Sequence, residues 1–338
     1  MRQRLLLVLL TAVLLFISAC AERSTEWQDQ EYVELDSSFP VVGDARDIDF
    51  DEDYIYAALD QGGFAIIDKA TGSMRWLTKV EEATGGFKSL FRIRKIAAMK
   101  EFNRLFVTEV EATDAVYILD TTKPDSIKYI DAVIGATADI SDLKIYKIAN
   151  PTNSNRIEIA FTAGRSFQFS SYNNQLWLGY DYGITPPASS SGFDLTASHV
   201  FLAAQQRGLV IYNRTSHAQV GEIALPGEAQ KVKVVGNYAY VAGRQGGLSV
   251  VDITNPANPV FLKSWNTTGY ATSVDVRGNM AVVSSNSGGV YLFDISSPTN
   301  PTLLQRITDC GYSNRARFDG DKIIIASRDN GILVYNIK

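Results

Sequence analysis

A repeat in the second half of the chain limits the available folds more strongly than any other feature. Three apolar segments end in Asp252, Asp294 and Asn336, which are 42 residues apart. Each is preceded by two apolar stretches joined by Gly-Asn or Gly-Asp, the strongest short signal for a β-hairpin. Repeats of this length that contain several short strands are typical of β-propeller blades.

The same apolar segment recurs upstream, ending at Asp68, Asp120 and Asn213, which brings the clear repeats to six. Asp120 and Asn213 are 93 residues apart, about twice the repeat, so we expect one degenerate unit between them. Its strands are predicted at residues 143–149, 156–162, 166–172 and 175–180. The sequence therefore predicts an all-β fold, a seven-bladed β-propeller of four-stranded antiparallel blades.

The last repeat stops at Lys338, one strand short of the plan that the complete repeats follow. An outer edge without a partner would expose unpaired backbone N–H and C=O groups. The segment at residues 31–36 alternates apolar and polar side chains and has no other place in the repeat plan. We therefore predict that it is the strand that completes the last blade, within a single propeller at residues 31–338.

The third-strand segments resemble those of a known family. Leu248-Ser-Val-Val-Asp252 and Leu209-Val-Ile-Tyr-Asn213 are similar to the repeat that names the LVIVD family of bacterial propeller proteins. The proline-containing phrases at residues 253–259 and 295–301 also match that family's pattern, whereas the earlier blades depart from it. The resemblance rests mainly on residues 227–338 and implies the same propeller fold.

The N-terminus has the layout of a secretory signal, with Arg2 and Arg4, an apolar run at residues 5–17 and small residues before Cys20. Such a run is too short for a permanent membrane span. Ile17-Ser-Ala-Cys20 resembles the lipobox of bacterial lipoproteins, which implies cleavage before Cys20 and lipid on its thiol. The alternative is an ordinary signal peptide with an incidental cysteine.

On the lipoprotein interpretation, residues 1–19 are the signal peptide, and residues 20–30 are the lipidated cysteine and a flexible tether. Lipid on Cys20 would attach the protein stably to a membrane. By the sorting rule of enteric bacteria, Ala21 and Glu22 in place of an aspartate imply the outer membrane. We therefore expect a lipid-anchored protein of the bacterial cell envelope, on the periplasmic or the surface side.

The charge balance and the residue types exclude several classes of function. Without Arg2 and Arg4 the chain has 30 basic and 37 acidic side chains, a net of −7, so nucleic acid is not an expected partner. The chain has two histidines, His199 and His217, too few for a His-rich metal site. No phosphate loop or nucleophile elbow is present, so we expect no cofactor, no bound metal and no enzymatic activity.

The recurrent Asp68, Asp120, Asp252 and Asp294 invite interpretation as metal ligands or catalytic acids. However, a residue needed once for chemistry has no reason to recur in every blade. Asp at the end of a strand commonly accepts hydrogen bonds from the backbone of the turn that follows. We expect this structural role.

The loops between second and third strands share one face of a propeller with the crossovers between blades, and we call it the loop face. Its residues vary between blades while the framework repeats, and such loops usually carry the function. A protein, peptide or glycan would be the ligand, although each residue alone also fits a solvated loop tip. The predicted binding residues are Asp60, Gln61, Gln206, Arg207, Glu228, Arg244, Gln245, Tyr270, Asn286, Tyr312, Arg328 and Asp329. Asp44 and Phe87 are also predicted on this face.

Several alternatives stay open at this point. A hydrolase or lyase acting on a carbohydrate or lactone at the channel mouth is the rival function, and an envelope assembly factor is a third. The acidic segment at residues 109–114 suits either a calcium site or solvated loop charge. Cys310 is either a reactive thiol or a small buried filler. The sequence leaves the oligomeric state undetermined.

Overall fold

Each repeat folds as a meander of short antiparallel strands, because apolar segments alternate with turns that contain glycine or proline. The computed structural model describes residues 31–110, 115–136, 138–147, 156–173 and 176–338. Val33–Ile337 form one unit. The other unit comprises Met1–Tyr32 and Lys338, and in it Lys338 Nζ lies 2.6 Å from Glu31 Oε2.

The strands follow one another in chain order, blade by blade. Strand β1 (Val33–Phe39) precedes the first blade. Blade 1 contains β2 (Asp47–Phe50), β3 (Tyr54–Ala58), β4 (Phe64–Asp68) and β5 (Met74–Leu77). A hairpin of β6 (Lys79–Glu82) and β7 (Phe87–Ser89) follows. Blade 2 contains β8 (Ile93–Met99), a 3-10 turn (Lys100–Phe102), β9 (Arg104–Glu109), β10 (Ala115–Asp120) and β11 (Lys128–Val133).

The remaining blades continue the same plan. Blade 3 contains β12 (Ile140–Lys147), β13 (Ile157–Ala163), β14 (Ser166–Tyr172) and β15 (Trp177–Ile184). Blade 4 contains β16 (Gly192–Leu195), β17 (His199–Ala203), β18 (Leu209–Asn213) and β19 (Gln219–Ile223). Blade 5 contains β20 (Lys231–Val235), β21 (Tyr238–Ala242), β22 (Leu248–Asp252) and β23 (Val260–Trp265). Blade 6 contains β24 (Ser273–Arg277), β25 (Met280–Ser284), β26 (Val290–Asp294) and β27 (Thr302–Ile307). Blade 7 contains β28 (Ser313–Asp319), β29 (Lys322–Ser327) and β30 (Gly331–Ile337).

These sheets form a closed ring. The first strand of each blade contacts the first strand of the next, and β28 of blade 7 contacts β2 of blade 1. In the described part of the chain there are seven sheets, which confirms the predicted all-β, seven-bladed propeller. The predicted degenerate unit is blade 3.

The N-terminal strand completes the last blade, as the incomplete final repeat predicts. Strand β1 pairs antiparallel with β30, from Val33 opposite Ile337 to Phe39 opposite Ile332, with an irregularity after Leu35. The core between blades 7 and 1 contains Ile324, Ile332 and Val334 from one side and Ile48, Ile55 and Ile67 from the other. Both the hydrogen bonds and the apolar contacts therefore close the ring.

Blade 2 departs from the predicted four strands. Strand β6 pairs parallel with β11 on the outer edge of the blade, and β7 pairs with β6, so this sheet has six strands. Phe87 lies on β7, where its side chain is 61% exposed. Its predicted position on a loop-face crossover was wrong, because the segment between blades 1 and 2 is long enough to add a hairpin.

The recurrent aspartates have the structural role that their repetition predicts. Asp68, Asp120, Asp252 and Asp294 each accept a hydrogen bond from the backbone N–H two residues later, at 2.8 to 2.9 Å. Asn213 makes the same contact with Thr215. These side chains stabilise the turn after the third strand.

Removal of β1 tests the closure. A chain that starts at residue 40 loses the burial of Val33 and Phe39 and leaves the edge of β30 unpaired. We expect its free energy of unfolding to fall by about 3 kcal/mol or more, from about 1.5 to 3 kcal/mol per buried apolar side chain. Urea unfolding measures this, and a chain that starts at residue 31 is the control. Equal stability of the two chains would contradict closure by β1.

Candidate functional site

Charged side chains from the first strands of six blades, those other than blade 2, line the cavity at the centre of the ring in the described structure. The cavity there has a volume of about 230 Å³. Side chains in a strand alternate between its two faces, so an apolar residue such as Val232, Val274 or Ala316 packs between blades while its neighbours face the channel. The charged residues around this cavity are Asp47, Asp49, Asp142, Lys144, Asp194, Lys231, Lys233, Asp275, Arg315 and Arg317.

Three of these residues close the channel near the loop face, and we call them the plug: Asp142, Lys231 and Arg315. Lys231 Nζ lies 2.5 Å from Asp142 Oδ1 and donates to the backbone carbonyl of Ser141 at 3.0 Å. Arg315 Nη1 lies 3.9 Å from the same Asp142 oxygen. Because these residues come from blades 3, 5 and 7, the contacts extend across the channel.

Burial acts in opposite directions on the pKa values of the two members of the ion pair. Burial lowers the pKa of Lys231 to about 7, because loss of hydration outweighs the attraction of Asp142. For Asp142, burial alone would raise the pKa, but the cations Lys231, Lys144 and Arg315 hold it below its ordinary value. Asp142 is therefore ionised at neutral pH, and burial makes Lys231 easier to deprotonate than an exposed lysine.

Deeper in the channel, the carboxylates connect neighbouring blades. Asp194 Oδ1 pairs with Lys144 at 2.7 Å, and its other oxygen accepts the backbone N–H of Val234 at 2.7 Å. Asp49 accepts the N–H of Ala98, and Asp275 accepts that of Phe318, at 2.9 and 3.1 Å. These carboxylates are used in structural contacts between blades, not aimed together at one position in the cavity.

The plug lies below a wider cavity of about 360 Å³, the channel mouth, which opens on the loop face. Its rim is formed by residues just before or at the start of the first strands, among them Arg46, Arg94, Lys95, Gln230, Thr272 and Asn314. None of the twelve predicted binding residues is in the described lining of this cavity. They surround it.

Asp60 lies nearest to the channel mouth among the predicted residues. Its carboxylate is within ion-pair distance of Arg46 at 3.3 Å, Arg94 at 3.5 Å and Arg92 at 3.9 Å. Asn286 contacts Thr272, with 3.4 Å between Oδ1 and Oγ1. These two residues contact rim residues of the channel mouth without lining the cavity themselves.

Two Arg–Tyr pairs lie on the loop face. The Arg244 guanidinium lies 5.0 Å from the ring centre of Tyr270 and pairs with Glu228 at 2.5 Å. The Arg328 guanidinium lies 4.0 Å from the ring of Tyr312 and pairs with Asp329 at 3.1 Å. The side chain of Tyr270 is 49% exposed.

The other predicted residues are not brought together. Gln61, Gln206 and Gln245 are exposed at the tips of separate loops. Arg207 turns outward, where Nε lies 2.6 Å from Glu222 on the outermost strand of blade 4. For these four positions the structure shows no common site.

Four of these loops have the same backbone conformation. Asp60, Gln205, Arg244 and Asn286 have left-handed φ angles of 47 to 50°. Each forms a backbone bridge to the next blade, as Arg244 does with Ala271. The residue in blade 4 that corresponds to Asp60 is thus Gln205, not the predicted Gln206. In the sequence, this position lies three residues before the glycine that precedes the third strand of the blade. These glycines are Gly63, Gly208, Gly247 and Gly289.

Sequence reasoning also missed the channel residues. Lys233, Asp275 and Arg317 occupy the same position in three consecutive repeats, 42 residues apart. A charged residue between two apolar ones in a first strand marks a side chain that faces the channel. This pattern of one charged residue between two apolar ones is visible when the repeats are compared.

Other reactive groups have structural environments. Cys310 is buried, and burial raises its pKa to about 11, so the thiol stays protonated at neutral pH. His217 stacks on Tyr182 with ring centres 3.8 Å apart, and His199 Nδ1 lies 2.8 Å from Ser198 Oγ. Within the described ranges no three His, Cys, Asp or Glu side chains form a group that could hold a metal ion. Residues 111–114 of the acidic segment lie outside the described residues.

The closed ring of antiparallel blades around a central channel defines the class of this protein as a β-propeller. The sequence profile of the LVIVD repeat matches residues 42–69, 226–267 and 268–309. The protein is thus a seven-bladed β-propeller with LVIVD repeats. In the described part of the chain, no helix is long and apolar enough to cross a membrane.

Solved structures with the same fold share little sequence with this chain. The WD40 β-propeller domain of Doa1 is 12% identical, with a TM-score of 0.68, over 90% of this chain and 97% of that one. The computationally designed Ika8 protein is 13% identical, with a TM-score of 0.61, over 89% of this chain and 98% of that one. At these identities the likeness concerns the fold alone. A comparison with curated proteins finds no match.

The plug can be tested by its contribution to stability. We expect Lys231→Met to lower the free energy of unfolding by about 3 kcal/mol, because Asp142 loses its nearest cation while still buried. Lys231→Met combined with Asp142→Asn should recover much of this loss, since the buried charge is removed. Urea unfolding of both variants measures the difference.

The matched control is Lys128→Met, which breaks an exposed pair with Glu81. This change should cost less than about 0.5 kcal/mol. If Lys231→Met costs no more than Lys128→Met, the buried ion pair is not part of the stability of the channel.

Proposed function

We propose that this protein is a binding platform anchored in the bacterial cell envelope, and that the exposed part of the loop face holds a protein, peptide or glycan partner. The observation that carries this proposal is the pair of Arg–Tyr stacks on the loop face, Arg244 with Tyr270 and Arg328 with Tyr312. Arg and Tyr are enriched among residues that dominate interface energies.

Preorganisation supports the same function. The backbone bridges between loops and neighbouring blades hold the loop residues in place before a partner arrives. A partner therefore loses less conformational entropy on binding than it would with mobile loops. The framework repeats while the side chains at one backbone position vary among Asp, Gln, Arg and Asn, as expected of a scaffold adapted to recognition.

The channel gives less support to the rival hydrolase or lyase. Catalysis needs two or more acid–base groups that converge on one reacting position. In the described part of the channel, Asp49, Asp142, Asp194 and Asp275 instead accept backbone N–H groups of the next blade. We therefore propose a non-catalytic role, for which no cofactor is needed.

The anchoring part of the proposal depends on Cys20, which lies outside the described residues. The lipobox-like Ile17-Ser-Ala-Cys20 is its support. With lipid on Cys20, a tether of about ten residues would join the propeller to the membrane and keep it close to partners within the envelope.

Replacement of the Arg–Tyr pairs tests the platform. A photo-crosslinker placed beside the pairs at Ser287 should capture a defined partner in intact cells. We expect capture to fall at least tenfold in a variant that combines Arg244→Ala, Tyr270→Ala, Tyr312→Ala and Arg328→Ala. The reason is that such residues each contribute about 2 kcal/mol at interfaces. The control replaces Lys123, Asn258 and Thr299, which are exposed on the opposite face, with alanine. Equal capture by both variants would remove the loop face as the binding surface.

Anchoring is tested separately by Cys20→Ser. We expect the wild type to sediment with membranes and to incorporate labelled fatty acid, and the variant to lose both properties because no thiol is left to acylate. Cys310→Ser is the matched control and should behave like the wild type. Fatty-acid labelling that persists in Cys20→Ser would refute this site.

A further inference from the structure

The channel mouth is a cavity that the plug closes at its inner end, and its lining does not include the Arg–Tyr pairs. Its volume of about 360 Å³ is within the range of small-molecule sites. Below it, the plug formed by Asp142, Lys231 and Arg315 crosses the channel. A ligand that enters from the loop face would therefore stop at the level of Lys95 and Lys231.

The charges at the channel mouth do not cancel. The cations there, with Lys231 protonated, are Arg46, Arg92, Arg94, Lys95, Lys231 and Arg315. The carboxylates that pair with them are Asp44, Asp47, Asp60, Asp139 and Asp142. Six cations thus face five carboxylates, which leaves one positive charge in excess. Within the described residues, Lys95 is the cation without a carboxylate at ion-pair distance.

Hydrogen-bond donors are also in excess. Arg46 Nε, Arg94 Nε and both Nε and Nη1 of Arg315 are buried donors that make no hydrogen bond within the described structure. They lie near carboxylates, but Arg315 Nε, for example, approaches Asp47 at 3.1 Å without hydrogen-bond geometry. Buried donors without acceptors are costly. A ligand that carries one negative charge would balance the excess positive charge at the channel mouth.

The neutral part of the lining indicates what the rest of the ligand is like. Hydroxyl and amide side chains, including Ser141, Gln230, Thr272 and Asn314, surround the cations. Ile140 is the apolar side chain in this lining, and no aromatic ring is present in its described part. Such a surface suits a ligand with hydroxyl groups better than an apolar one.

We propose that the channel mouth binds a small hydroxylated monocarboxylate, the chemistry of a sugar acid, with Lys95 as the main cation for its carboxylate. A dianion such as sulfate would leave one negative charge without a counterpart. This site goes beyond the proposed platform, because it uses none of the Arg–Tyr residues.

The test is calorimetric titration of the folded propeller with D-galacturonate at pH 6, because a lower pH favours the protonated form of Lys231. We expect saturable binding of galacturonate and no detectable binding of neutral D-galactose. Lys95→Met should weaken galacturonate binding about tenfold or more, since a charge-assisted hydrogen bond is lost. Lys95→Arg should retain most of the affinity, and Lys128→Met should match the wild type.

Each other outcome overturns the proposal. Equal binding of galactose and galacturonate would show that the carboxylate is not recognised. Tighter binding of sulfate, which is a dianion at pH 6, would exclude a monocarboxylate site. Unchanged affinity in Lys95→Met, with the variant folded by circular dichroism, would exclude Lys95. The variant without the Arg–Tyr pairs should still bind galacturonate, so failure of the platform and failure of this site are distinguishable.

Discussion

The pairing of β1 with β30 is the contact on which the rest of the structure depends. In a ring of sheets, each blade buries its faces against two neighbours only if the first and last segments of the chain meet. The antiparallel register from Val33 to Phe39 supplies the missing outer strand of blade 7, and the isoleucine-rich core between blades 7 and 1 holds the two ends together. Without β1, only the contacts between blades 7 and 1 would hold the ring closed.

The channel shows how the fold accommodates charge. Ten ionisable side chains point into one cavity in a protein whose apolar residues fill the spaces between blades. Such charges are tolerated inside because each lies near a charge of the opposite sign. The carboxylates of Asp49, Asp194 and Asp275 each reach a backbone N–H of the next blade, so the same groups that balance the charge also join neighbouring sheets.

The repeat was predictable because it is periodic in the sequence. Hairpins at Gly236, Gly278 and Gly320, the turn role of Asp252 and Asp294, and the closing strand near Val33 all follow from patterns within one or two repeats. Phe87 was misplaced because nothing local shows that its segment adds a hairpin to an outer edge. Predicted residues such as Gln61 and Arg207 shared only a loop type, and a loop type does not determine which way a side chain turns.

The sequence by itself determined the number of blades, the order of their strands and the way the ring closes, because strand periodicity, turn residues and an unpaired edge are local properties of the chain. Only the tertiary structure decided which side chains meet. Asp142, Lys231 and Arg315 come from three different blades, and their contact across the channel depends on the radius of the ring and the register of the inner strands. No spacing along the chain records that distance, so the excess charge at Lys95 became visible only in three dimensions.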